Sequence, residues 1–242
     1  MNNTYEFTMD KCLLLDFDGV IINNETINEN VTEKASCFLA KHTHIKPQSA
    51  VKINRKNYRK FGHTLYLTNY INKNKKKYEP LTIDDFNNYV YDEDFIRSNC
   101  LSHLNSNDTT LFTEWVYFID ETKRAALFND VYIFSNAPSL WINQIMRELE
   151  RLSGIKMNID DVISVPEEFH NNLKPDLYPY DQFTSSYSYE SEIIFVDDSE
   201  TNLQYTRWTN VLFDPLKDRD KKADKNNQIK TITSPKELYL MI

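Results

Sequence analysis

The sequence predicts an α/β fold, a doubly wound parallel sheet with an inserted α-helical cap. Three observations carry that expectation. Short, wholly apolar runs occur as CLLLDFDGVI near the start and as DVYIFSN, EIIFVDD and NVLFD beyond residue 129. Runs of this kind suit strands buried on both faces, as in a parallel sheet covered by helices. After residue 110 they alternate with amphipathic helical patterns. Between the first and second strands, however, lie about 80 residues of helical pattern, too long for an ordinary crossover. The expected division is a core of residues 1–23 and 111–242 and a helical cap of residues 24–110.

The elements follow in order. The first strand breaks at Asp18-Gly19, where the turn chemistry changes. Thr26 and Glu29 form a capping box leading into Val31, Ala35, Phe38 and Leu39 at helical spacing. Thr82 with Asp85 opens another helix, with Phe86, Tyr89 and Val90 behind it. Leu111, Trp115, Phe118, Ile119 and Thr122 share one face of a long helix before the second strand. Pro138 suits the first turn of the next helix, whose apolar face is Trp141, Ile142, Ile145, Leu149 and Leu152. Gly154 falls where a left-handed cap is wanted. DVISV at 161–165 is a weaker strand, and Lys174-Pro175 is expected to open a helix. The segment Lys217 to Lys230 mixes both charges and is expected to be a solvated loop.

Composition excludes several classes. The 242 residues are 40% hydrophobic and 13% aromatic, enough to bury a core and against wholesale disorder. No apolar run is long enough to span a membrane. The opening MNNTYEFTMDKC lacks the pattern of a secretory signal. Cys12, Cys37 and Cys100 are scattered with no CxxC pair. That predicts reduced core thiols and a cytoplasmic protein, against a disulfide scaffold or a zinc site.

In a doubly wound sheet the ligand binds beyond the carboxyl ends of the strands. The residues closing the apolar runs are Asp16-Phe17-Asp18-Gly19, Ser135-Asn136 and Asp197-Asp198, with Lys174 nearby in the order. Carboxylates crowded at one edge repel one another unless a cation is present, and hard oxygen donors suit Mg²⁺. A lysine and a hydroxyl supply partners for further phosphate oxygens. With no Ser-His pair evident, the best nucleophile is a carboxylate able to form an aspartyl-phosphate. Asp16 and Asp18 point the same way along the strand, so one can attack phosphorus while the other serves as general acid and base.

These residues resemble the four motifs of the haloacid dehalogenase-like superfamily. DFDGV at 16–20 resembles the first, IFSNA at 133–137 the second, Lys174-Pro175 the third and FVDDSETN at 195–202 the fourth. The resemblance implies a Rossmann-like core and a Mg²⁺-dependent phosphatase, with Asp16 as nucleophile and Asp18 as general acid and base. It implies Ser135 and Lys174 as phosphate ligands, with Asn136 and Gly19 beside them. Mg²⁺ would be held by Asp16, the Asp18 carbonyl and Asp198, with Asp197 acting through water. Asn202 stands where many members carry a further acid. An insert between the first two motifs implies the helical, first-type cap, and NYRKFGHTLYL within it resembles a loop of pyrimidine 5′-nucleotidases. Two other outcomes share these motifs: a phosphotransferase or mutase, and a catalytically silent module that binds nucleic acid or an acidic partner.

Counting adds one feature independent of the resemblance. From Lys34 to Tyr78 there are twelve Lys or Arg and no Asp or Glu, whereas the rest of the chain holds 16 basic residues against 36 acidic. The segment 34–78 therefore carries about +12 and the rest of the chain about −20. Two readings fit: a solvated helical face, or a site for an anion larger than one phosphate, such as a nucleotide or a nucleic-acid end. Arg55, Arg59 and His63 lie beside Gly62, in the stretch expected to face Asp16, and Tyr58, Phe61, Tyr66 and Tyr70 are interleaved with the basic residues.

Overall fold

The computed structural model describes residues 11–73, 75, 78–170, 172–186, 192–216 and 229–242, apart from the Arg59 side chain. Six strands form one parallel sheet: β1 (Lys11–Leu15), β2 (Asp130–Ser135), β3 (Asp161–Ser164), β4 (Glu192–Asp197), β5 (Thr209–Phe213) and β6 (Lys230–Ile232). The spatial order is β3-β2-β1-β4-β5-β6, which is doubly wound, with β1 between β2 and β4. Leu15 pairs with Ile133 on one side and Val196 on the other. The next residue of β1, Asp16, therefore emerges between the ends of β2 and β4.

Alternation along the strands separates two cores. Leu13 and Leu15 face a cluster with Trp115, Phe118, Trp141 and Ile145, contributed by α6 (Thr109–Arg124) and α7 (Ser139–Ser153). Cys12 and Leu14 face the other, with Tyr180, Phe183 and Trp208, partly from α9 (Leu177–Ser186). Val165 of the short α8 (Val165–Glu168) joins that second face. Burial on both sides is why the strands read as continuous apolar runs.

The insertion between β1 and β2 contains α1 (Glu25–Thr43), α2 (Pro47–Phe61), α3 (Thr64–Asn72), α4 (Ile83–Val90) and the single turn α5 (Glu93–Phe95). It packs around its own apolar clusters, one of Phe38, Leu65, Ile83, Phe86 and Val90, the other of Leu39, Ala50 and Leu67. Ile96, Cys100 and Leu104, which the sequence places in the cap, pack instead into the main core. A π-helical turn at Ile96–Cys100 returns the chain to the sheet there. Among the described residues no helix is long and apolar enough to cross a membrane.

Several local expectations shift. Asn24 caps α1 by accepting from the Ile27 amide at 3.0 Å, so Thr26 lies inside the helix. The Thr82/Asp85 capping box of α4 forms as expected, and Gly154 ends α7 with φ 71°. Pro138 occupies the N-cap of α7 rather than its first turn. Lys174-Pro175 opens no helix: its peptide is cis and α9 starts at Leu177. Of the expected solvated loop, residues 217–228 lie outside the described residues, and Lys230 begins β6. Cys12 and Cys100 are buried thiols, but Cys37 is exposed.

Candidate active site

The carboxyl ends of β1, β2 and β4 converge on Lys174. Its ammonium is buried and lies 3.1 Å from Asp16 Oδ1 and 2.7 Å from Asp197 Oδ2, and it donates to the Phe134 carbonyl at 2.9 Å. Burial opposes the lysine charge, but Asp16 and Asp197 outweigh it and raise its pKa above the usual value. Asn136 fixes the backbone at this point. Its side chain accepts from the Lys174 amide at 2.8 Å and donates to the Lys174 carbonyl at 3.0 Å. The amide group of Asn136 is thus committed to placing the lysine. Ser135 is buried beside it, its oxygen accepting from the Ala137 amide at 3.3 Å.

Asp16, Asp197 and Asp198 present oxygens within 4.8 Å of one another. Burial pushes the Asp16 carboxyl well above its usual range, with Lys174 pulling it down and Asp197, Asp198 and Asp18 raising it further. A divalent cation would relieve this repulsion, and the all-oxygen donor set fits Mg²⁺. Gly19 makes the close approach of Asp198 possible. Its φ is 87°, and a Cβ there would lie 2.5 Å from Asp198 Cγ. Asp197 is fully buried and its oxygens are already occupied by Lys174, the Ser199 amide and Asn202 Nδ2. Asn202 therefore orients Asp197.

Asp18 faces a different environment. Its Oδ1 accepts the indole N–H of Trp141 at 3.1 Å. Burial raises its pKa to about 6, against the lowering effects of that hydrogen bond and of Lys174. Trp141 packs in a tilted arrangement, ring centroids 5.4 Å apart, against Tyr91, a residue of the insertion. Trp115 donates from its indole to the Val20 carbonyl at 2.8 Å, holding the turn after Asp18. The sequence shows both tryptophans only as helix-face residues. The available signal was that a buried indole N–H needs an acceptor.

The insertion meets this edge along residues 173–176. Leu173 inserts into the cluster of Phe38, Leu65 and Phe86. Gly62, the left-handed cap of α2, sits so close that a Cβ would lie 3.1 Å from Pro175 Cδ. Tyr66 donates to Asp176 Oδ2 at 2.6 Å. One turn before Gly62 stands Tyr58, 51% exposed. Crowding by the chain around the cleft, followed by the field of Asp198, Asp16, Asp18 and Asp197, raises its phenol pKa, an effect that solvent at the open mouth screens. Tyr58, interleaved with basic residues in the sequence, is thus exposed rather than core, and Tyr91, which carries no sequence signal, reaches Trp141.

The remaining expected site residues divide. Arg55 is exposed on α2, and Arg59 belongs to the same helix. His63 does not face the cleft as a cation. It is 7% exposed, its Nδ1 caps α3 by accepting from the Leu65 amide at 3.2 Å, and its ring lies 4.5 Å from Phe86. Burial lowers its pKa to about 4, so at neutral pH it is an uncharged cap.

No family model and no curated protein matches this sequence. Solved structures do. A HAD phosphatase from Thermococcus onnurineus aligns over 96% of this chain and 97% of its own at 16% identity, with a TM-score of 0.50. The Bacillus subtilis protein YfnB, solved bound to magnesium, aligns over 96% and 98% at 15% identity and 0.47. A dehalogenase aligns over 98% of each chain at 14% identity and 0.46. The chain thus has the haloacid dehalogenase-like (HAD) fold. A fold does not choose a reaction, so the chemistry rests on the residues at the sheet edge.

Proposed function

We propose that this protein is a Mg²⁺-dependent phosphatase that hydrolyses a phosphate monoester through an aspartyl-phosphate on Asp16. The observation that carries this reading is the pairing of two unlike carboxyls. Asp16 sits on Lys174 within the acidic cluster, while Asp18, two residues on, is held by Trp141 with its pKa raised to about 6. A halide leaves without a proton, whereas an alkoxide needs one, and Asp18 is suited to deliver it.

Asp16 attacks phosphorus, and the P–O bond to the alcohol breaks as Asp18 gives that oxygen a proton. Asp18 then takes a proton from water, whose oxygen attacks the same phosphorus. Inorganic phosphate departs and the Asp16 carboxylate is restored. Lys174 keeps positive charge beside the nucleophile, and the Ser135 hydroxyl is available to a phosphate oxygen. Asp16, Asp198 and the Asp18 carbonyl would hold Mg²⁺, with Asp197 linked through water. The bound ion would neutralise phosphate charge.

A panel of phosphate monoesters assayed with Mg²⁺ tests the reading directly. Turnover should appear on at least one ester, vanish in excess chelator and return with Mg²⁺. Asp16→Asn should lower kcat by at least about a thousandfold while leaving the melting profile cooperative. Near-normal turnover in that variant would end the covalent route.

A further inference from the structure

We infer that the exposed row Tyr58–Arg55–Lys52 of α2 is a subsite for the phosphorylated end of a single-stranded nucleic acid, which rests on the phosphatase reading for the fate of that end. The row starts at the cleft. α2 ends at Gly62 against Lys174-Pro175, and Tyr58 lies one turn back, half exposed at the mouth. Arg55 and Lys52 follow at three-residue steps, about 4.5 and 9 Å further along the axis on neighbouring positions of the helix surface. Both are exposed. A terminal phosphate in the acidic cluster would leave its first base at the Tyr58 ring and the next phosphates within reach of the two cations.

The fold treats the basic residues of the insertion unequally. Lys34 pairs with Asp92 at 3.0 Å, Lys41 sits 4.8 Å over the Tyr89 ring, and Lys75 donates to the carbonyls of His42 and Thr43. Among the described residues Lys52, Arg55, Lys56 and Lys60 make no ion pair, and of these Lys60 lies over the Phe61 ring at 5.2 Å. They repeat at helical spacings of three and four, where like charges repel and work against the helix. A merely solvated face gains solubility from mixed signs, yet residues 34–78 contain no acid. A polyanion removes the repulsion, and only one with a phosphate terminus also suits a carboxylate cleft prepared for a cation. Tyr58 is exposed and offers a ring face that an unpaired base can stack on, whereas the Tyr70 ring already lies 5.1 Å from Phe61.

Binding of a short fluorescein-labelled 5′-phosphorylated oligothymidylate to the Asp16→Asn protein, followed by anisotropy in Mg²⁺ at several salt concentrations, tests this. Affinity should fall steeply with salt. Lys52→Gln with Arg55→Gln should weaken binding about tenfold at low salt and flatten the log–log salt slope by about 1.4, near 0.7 for each lost phosphate contact. Tyr58→Ala should weaken it about tenfold with the slope unchanged. Equal affinity for parent and variants overturns the subsite. Equal affinity for the same oligonucleotide lacking its phosphate overturns it too, because the end would then play no part. If no monoester is hydrolysed but this pattern holds, the phosphatase reading falls and the subsite stands. If a small ester is hydrolysed and the variants bind like the parent, the subsite falls alone.

Discussion

At the scale of single residues, the site is built from groups whose protonation is set by where the chain puts them. Burial raises Asp18 to about 6 and lowers His63 to about 4, the same desolvation acting on opposite charge types. For His63 this has a consequence for stability. Its folded pKa lies below the ordinary 6.5 of the unfolded chain, so the unfolded state binds the extra proton between those values. The stabilisation is fully present above pH 6.5 and is lost as pH falls toward 4. The shift corresponds to on the order of 3 kcal/mol in total, about 2 of it gone by pH 5. Asn can supply the same cap to α3 without titrating. Urea denaturation at pH 7 and pH 5 should therefore show a drop about 2 kcal/mol smaller in His63→Asn than in the parent. The raised carboxyls Asp16 and Asp18 titrate in the opposite sense in both proteins and cancel in that difference. Parallel pH profiles for the two proteins would show that His63 is not the buried neutral cap described.

At the scale of elements, apolar patterning made most of the fold legible. Five strands, the capping box at Thr82 and the glycine cap at Gly154 stand where the sequence places them. β6 escaped because three residues, KTI, follow a charged stretch and carry too little pattern to distinguish a strand from a loop. The return of Ile96, Cys100 and Leu104 to the main core escaped because apolar residues at helical spacing do not reveal which core they face. In the site, Asp16, Asp18, Ser135, Asp197 and Asp198 were legible because they close apolar strands, and Lys174 through the motif order. The aromatic partner Trp141 comes from elsewhere in the chain and carries no local signal, whereas Asn202 was legible as part of the fourth motif but not as the group that orients Asp197. Asn136 was legible as a site residue, but its double hydrogen bond to Lys174 was not. The α2–α3 junction offers a paired test of how the insertion bears on Lys174. Gly62 and Gly154 have nearly equal φ, 67° and 71°, but a Cβ at Gly154 meets nothing within 4 Å whereas one at Gly62 meets Pro175. Each alanine variant should lose about 1 kcal/mol to backbone strain in urea titrations. Only Gly62→Ala should also lower kcat/KM, by roughly tenfold, because Pro175 must yield and Lys174 moves with it. Equal activity in the two variants would mean the contact does not position the lysine.

At the scale of the whole molecule, charge is divided between residues 34–78 of the insertion, near +12, and the rest of the chain, near −20, of which three carboxylates meet at the cleft. Folding gathers Asp16, Asp197 and Asp198 around the buried Lys174, which pairs with the first two, a crowding of like charges the unfolded chain does not bear. Anything that binds this cluster only in the folded state stabilises the protein by mass action, about 2.7 kcal/mol at a hundredfold excess over Kd. For a chain of this length each kcal/mol moves Tm by about 2–4 °C. Saturating Mg²⁺ should thus raise Tm by roughly 5–10 °C over the chelated protein. Screening of the acidic surface would also raise Tm, so sodium chloride matched for ionic strength is the control and should give a much smaller rise. Asp198→Asn removes a donor without adding bulk beside Gly19 and should abolish most of the Mg²⁺-specific shift. Asn202→Ala frees Asp197 from an orienting bond but leaves every carboxylate in place, so it should retain most of the shift. A Tm that responds to Mg²⁺ no more than to matched sodium chloride would mean that the cluster does not hold the ion. The crowding of Asp16 by Asp197 and Asp198 would then stand unrelieved, and the proposed chemistry would lack the cation that is to offset it.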